Sequence, residues 1–305
     1  MWKLMLFFAI DPGAVELDLS RTWTTDADLQ RIGQMKQLAR LDLSQTRISD
    51  AGLQHLKGLK NLRELNLYYA EYISEDGLAI LKNWTELEKL NLHGTRVTSK
   101  IFEHLAGLKK LRELDLGFTE ITDEGLERLT ELPKLERLVI GGNRLTGECL
   151  SFLRQISTLR DLDVSGTQRV DSGLWGLPLT DQNLTRIGGI QQLRRLSIAA
   201  ATISDRGVDR PGHPEAERSD LRDLSALRGL VNLEYLDVSR QPLSTETLKT
   251  FADLPGLKEL RVMLCKKLDD RAVDVLVGMK ALQRVYLSGS SISADGAARL
   301  GDRVR

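Results

Sequence analysis

Four ring-bearing residues fall at matching places along the chain: Tyr68 and Tyr69, then His93, then Phe118, each just beyond a Leu-x-Leu pair (Leu65/Leu67, Leu90/Leu92, Leu114/Leu116). If those pairs lie on stacked strands, the rings share one rim across neighbouring units. Large aromatics there can bury substantial area against a partner, and a tyrosine hydroxyl can complete a polar contact. Glu64, Lys89, Glu113 and Asp115 lie in the same segments and add charge of both signs. Recognition, rather than turnover, is the chemistry this set suits. A packing reading stands beside it: Tyr69 and Phe118 could fill space between units while His93 satisfies its own loop.

Catalytic patterns are missing from the sequence. The histidines His55, His93, His104 and His213 are far apart, and neither His-Glu-x-x-His nor paired Cys-x-x-Cys occurs, so no zinc set is expected. There is no Gly-x-Gly-x-x-Gly and no phosphate loop. Gly141-Gly142-Asn143 fits a tight exit from a strand, and Ser165-Gly166-Thr167 and Ser288-Gly289-Ser290 fit the same geometry. No cofactor, metal or catalytic residue is therefore expected. A column of carboxylates, Asp18, Asp42, Asp115, Asp163 and Asp237, leaves a carbohydrate-directed or hydrolytic role as the enzymatic alternative, but repeated exposed acids do not by themselves create the distinct environments of a general acid and a base.

What positions these residues is a repeat. The central leucines of L-x-x-L-x-L segments are Leu17, Leu41, Leu65, Leu90, Leu114, Leu138, Leu162, Leu196, Leu236 and Leu260, with Val285 last; the steps are 24 or 25 residues except for two, of 34 and 40. A near-constant interval of this length marks a leucine-rich solenoid. Alternate residues of a strand face opposite sides, so the Leu-x-Leu pair points inward and the residue between them outward. Thr46-x-Ile48-Ser49-Asp50-Ala51-Gly52-Leu53, echoed at Thr119-x-Ile121-Thr122-Asp123-Glu124-Gly125-Leu126, supplies a turn and a helix start. Leu53, Leu56 and Leu59 then return every three residues along a short helix or helical turn. The expected architecture is α/β: a leucine-rich repeat horseshoe of about eleven repeats, with a concave parallel sheet and short convex helices.

The unit resembles a bacterial leucine-rich repeat family reading approximately L-x-x-L-x-L-x-x-T-x-I-T-D-x-G-L. Leu111, Leu114, Leu116, Thr119, Ile121, Thr122, Asp123, Gly125 and Leu126 stand in the matching places. In spacing it is also similar to the repeat portions of F-box/LRR adaptors and to the ribonuclease-inhibitor-like superfamily, although no F-box-like region precedes the repeats. The resemblance implies a non-enzymatic scaffold that binds another protein. A structural or self-assembly unit is the alternative.

The 305 residues carry 43 basic and 43 acidic side chains, which gives no global pull toward nucleic acid or an anionic membrane. No stretch reaches the roughly 20 apolar residues of a spanning helix. Cys149 and Cys265 lie several repeats apart, so buried thiols are expected rather than a disulfide. They leave the compartment open: the cytoplasm is favoured, and a secreted or periplasmic location would require an upstream signal segment. Residues 1–14 read as an N-terminal cap or edge strand, with a processing remnant as the other reading, and 15–305 as one repeat domain. The long steps become insertions around 171–190 and 204–227, the first packed and the second holding the breakers Arg210-Pro211-Gly212-His213-Pro214. Trp2, Trp23, Trp84 and Trp175 are expected to serve cap or loop packing.

Overall fold

The computed structural model describes residues 11–170, 173–201 and 224–305, with the side chains of 168–170 and 173–174 excepted. Most of the expected N-terminal cap, Trp2, His213 and the breaker cluster lie outside the described residues. The chain divides into two compact units, Met1–Val139 and Ile140–Arg305.

In the first unit six three-residue strands pair in parallel in chain order: β1 (Glu16–Asp18), β2 (Arg40–Asp42), β3 (Glu64–Asn66), β4 (Lys89–Asn91), β5 (Glu113–Asp115) and β6 (Arg137–Val139). Their register joins Leu17 to Leu41, Leu65, Leu90, Leu114 and Leu138, the residues picked out by the period. The inward residues from Leu41 onward are buried, as are the second leucines Leu43, Leu67, Leu92 and Leu116.

The other wall follows from a spacing of three. Leu53, Leu56, Leu59 and Leu62 are all fully buried. A 3-10 helix turns once every three residues and places i and i+3 on one side. The chain accordingly makes one α turn, Asp50–Leu53, and continues as a 3-10 helix, Gln54–Gly58; Glu75–Leu78 and Ala79–Asn83 repeat the pattern. Trp84 is fully buried behind this wall, its indole N–H directed at the Leu56 carbonyl at 3.4 Å.

Adjacent units are also joined by polar contacts at their helix starts. The Ser49 amide and hydroxyl donate to Asp26 at 2.7 and 2.5 Å, and those of Ser74 donate to Asp50 at 2.8 and 2.6 Å. Thr98 does the same to Glu75. Each acid opens one helix and receives the capping residue of the next unit, so donors left over at a helix N-terminus are satisfied from the preceding unit. The glycine of the repeat has a matching reason. A Cβ at Gly52 would stand 2.2 Å from Asp26 Oδ1, and one at Gly77 2.2 Å from Asp50 Oδ1.

In the second unit β7 (Asp161–Asp163) leads into a two-stranded antiparallel hairpin, β8 (Gln168–Val170) and β9 (Gly173–Trp175). The parallel stack resumes with β10 (Arg195–Ser197), β11 (Tyr235–Asp237), β12 (Glu259–Arg261) and β13 (Arg284–Tyr286). β7 pairs directly with β10, and β10 with β11, in the register Leu162–Leu196–Leu236, so both long steps are bridged without a shift. Leu177 and Leu179 are buried and the helix Asp181–Gly188 follows, which gives the first insertion its packed character.

Cys149 and Cys265 are both fully buried, and burial pushes the Cys265 thiol up to about 11. The thiolate is the reactive form. An aromatic disulfide reagent should therefore label neither thiol in the folded protein and both after denaturation; rapid labelling without denaturant would contradict their burial.

Candidate recognition surface

Outward positions on β1, β2, β3, β4 and β5 are acids or amides for a local reason. Asp18, Asp42 and Asp115 accept the main-chain N–H two residues on, from Ser20, Ser44 and Gly117, at 2.8, 2.8 and 2.9 Å. Asn66 and Asn91 receive Tyr68 and His93 at 3.1 and 3.0 Å. Asp163 and Asp237 repeat the contact in the second unit. Such Asx turns close the strand exit with a local hydrogen bond as the chain bends away from the sheet. The carboxylate column thus has structural work at every one of these positions.

The bend brings the chain into the left-handed region at one fixed place per unit. Gly94 and Gly142 stand there with φ of +69° and +71°, and Arg21, Gln45, Tyr69 and Phe118 occupy the same place at +56°, +53°, +50° and +52°. For an L-residue this conformation costs roughly 1–2 kcal/mol. It also reverses the side-chain parity of a strand, so Tyr69 and Phe118, which simple alternation would send inward, come to the rim beside Tyr68 and His93.

The four rings form a continuous series. Tyr68 and Tyr69 meet edge to face at 4.6 Å, Tyr68 stacks on His93 at 5.1 Å, and His93 meets Phe118 at 5.1 Å. Tyr69 lies 5.6 Å from His93. Two glycines make room: a Cβ at Gly94 would meet the Tyr69 ring at 2.8 Å, and one at Gly117 would meet His93 Nδ1 at 2.7 Å. Tyr69 remains 37% exposed, and the other three rings are half-buried. His93 Nδ1 lies 3.2 Å from Asp115 Oδ1, which fixes the imidazole against Phe118.

Beside the rings, the face of β1 to β6 forms a shallow trough of about 450 Å³. Glu64, Lys89, Glu113 and Asp115 all line it. Arg40 bonds to Glu16 and reaches Glu64 at 3.1 Å, and Lys89 meets Glu113 at 3.0 Å. The Glu113 hydrogen bond, with its charge, holds the Lys89 ammonium above its ordinary value. Exposed pairs of this kind contribute about 0–1 kcal/mol each, so their main effect is to order the floor of the trough. All eight expected site residues thus fall in the first unit: Tyr68, Tyr69, His93, Phe118 and Asp115 are in contact, and Glu64, Lys89 and Glu113 open the same strands, lining the trough beside them.

A second cluster, in the other unit, escaped the sequence reading. Arg195 covers the Tyr235 ring at 3.8 Å, and Arg261 lies over Tyr286 at 4.6 Å and Tyr235 at 5.4 Å. Glu259 is buried and binds Arg284 and Arg261 at 2.7 and 3.1 Å. Burial works to raise its carboxyl, but the hydrogen bonds and charges of those two arginines outweigh it and hold the group below its ordinary value. Tyr235 is buried too, and desolvation, helped by Asp237, pushes its phenol up to about 12. The signal was the run Arg195, Tyr235, Glu259 and Arg284 along one outward column, where Tyr235 breaks the alternation of charge. Among the described residues no group of three His, Cys, Asp or Glu side chains could hold a metal ion, and no helix is long and apolar enough to cross a membrane.

Stacked strand-and-turn units with leucine interiors define the leucine-rich repeat solenoid. A Leucine Rich repeat family model matches residues 107–129, and no curated protein sequence matches the chain. Solved structures share the fold. An internalin (inlF) from Listeria monocytogenes aligns with a TM-score of 0.60 and 22% identity over 90% of this chain and 68% of its own. The functional domain of InlJ from Listeria monocytogenes aligns at 0.54 and 17% over 94% of this chain and 56% of its own. TLR13, solved as a complex with ssRNA13, aligns at 0.52 and 19% over 97% of this chain and 46% of its own.

Proposed function

We propose that the chain is a non-enzymatic scaffold that captures a protein partner on the strand face of its first unit. Tyr68, Tyr69, His93 and Phe118 serve as the anchor, with Glu64, Lys89, Glu113 and Asp115 as its polar surround. The observation that carries this reading is the unbroken series of partly exposed rings on one rim of the first unit. Clustered aromatic side chains that keep part of their surface exposed fit a binding role. The balanced charge favours a protein over nucleic acid. The repeat match and the internalin fold neighbours support a leucine-rich repeat scaffold.

The snug fit of Tyr69 over Gly94 and of His93 against Gly117 favours a second reading, in which the rings only cement neighbouring units. The double variant Tyr68→Ala/His93→Ala separates the two. With a partner isolated by cross-linking to the parent protein and then purified, the variant should bind about tenfold or more weakly, with its urea midpoint nearly unchanged. Undiminished affinity together with a lowered midpoint would make the rings mortar and end the binding proposal at this place.

A further inference from the structure

A different surface of the first unit carries its own argument. Just past each strand exit, one residue stands immediately before the buried position that starts the return: Trp23 before Thr24, Arg47 before Ile48, Tyr72 before Ile73 and Arg96 before Val97. Main-chain bonds from Arg47 to Thr24 and from Arg96 to Ile73 set neighbouring members side by side. The one extra residue in the step from Leu65 to Leu90 falls here and presents Tyr72 outward.

Cap packing was expected for Trp23, yet it is 65% exposed, and Tyr72 is 55% exposed. Each ring carries a guanidinium: Arg47 lies 4.5 Å from the Trp23 ring and Arg96 5.9 Å from that of Tyr72. Among the described residues those rings are their partners. Elsewhere in this unit Arg40, Lys89, Lys110 and Arg112 all sit on carboxylates. A guanidinium laid on a ring keeps its N–H edge free for a planar acceptor, and a carboxylate fits that edge with two parallel hydrogen bonds.

We propose that the strip Trp23–Arg47–Tyr72–Arg96 is a second recognition surface, which takes an extended acidic segment of a protein. The rings receive apolar side chains of that segment, and Arg47 and Arg96 receive its carboxylates. Charge decides between protein and nucleic acid. Arg47 and Arg96 are balanced by the exposed Glu71 and Glu120, and a strip with no surplus of positive charge does not displace the counterions of a phosphodiester chain. The two ring-bound guanidiniums suffice for one or two carboxylates placed beside apolar groups.

A random peptide library displayed on phage, selected on the immobilised full chain, tests the assignment. Recovered sequences should pair Asp or Glu with aromatic or aliphatic residues. A synthetic peptide of the leading sequence should lose about tenfold or more in affinity with Arg47→Ala/Arg96→Ala, and little with Tyr68→Ala/His93→Ala, while both variants keep the parent's melting curve. Recovery of no acidic sequences, or equal binding by the Arg47→Ala/Arg96→Ala protein, overturns the proposal. A peptide lost only with Tyr68→Ala/His93→Ala also overturns it, while leaving the ring-cluster reading standing. Tighter, Arg47-dependent binding of an oligothymidylate would assign the strip to nucleic acid instead.

Discussion

Truncation of Leu114 to alanine is expected to lower the unfolding free energy by about 2–5 kcal/mol. Leu114 is 1% exposed and is held in register between Leu90 and Leu138. Removing its branched end leaves a cavity bounded by three successive units, and backbone paired on both sides cannot collapse into it. The loss should appear as a lower urea midpoint. A midpoint equal to the parent's would remove Leu114 from the core and, with it, the stacked interior on which the ring cluster depends.

Gly77→Ala should be nearly as damaging despite adding a single methyl group. Its Cβ would lie 2.2 Å from Asp50 Oδ1 and 2.8 Å from Asp50 Cα, so Asp50 cannot escape by turning its side chain alone. Asp50 also receives the Ser74 amide and hydroxyl; moving it loosens the joint between two units. Overpacking of about 1–3 kcal/mol, with weakening of two charge-assisted hydrogen bonds, is expected. In a thermodynamic cycle with Asp50→Ala, the glycine substitution should become milder, because part of the clash and both contacts are already gone. Additive costs in that cycle would dissociate the glycine from the carboxylate.

Leucine spacing sufficed to place every strand of the parallel stack, because a residue buried once per unit has to recur at the same depth; hence Leu17 to Leu138 and Leu162 to Val285 pair as aligned. It also brought Tyr68, His93 and Phe118 to one rim. It could not say how Tyr69 and Phe118 would point, since their direction depends on the positive φ at the strand exit and not on alternation. Nor could it reveal that Asp26 and Asp50 serve the following unit, because that contact spans 23 or 24 residues and involves ordinary surface residue types. Trp23 shows the opposite difficulty: near the start of a repeat array an apolar residue suggests a cap, and only the neighbouring units reveal that nothing described covers it. The Arg195–Tyr235–Arg261 stack needed the strand order across the 40-residue step, which spacing alone leaves open.

The carboxylate joints between helix starts have a direction. Thr25 bonds to Asp28 inside its own helix, whereas Ser49, Ser74 and Thr98 depend on the unit before them. Deleting a unit from the front would therefore strip its successor of a cap, while deletion from the rear would leave every remaining cap in place. Like roof tiles laid from one eave, the caps overlap in one direction only, and folding that begins at the front can hand each new unit a partner already waiting for it.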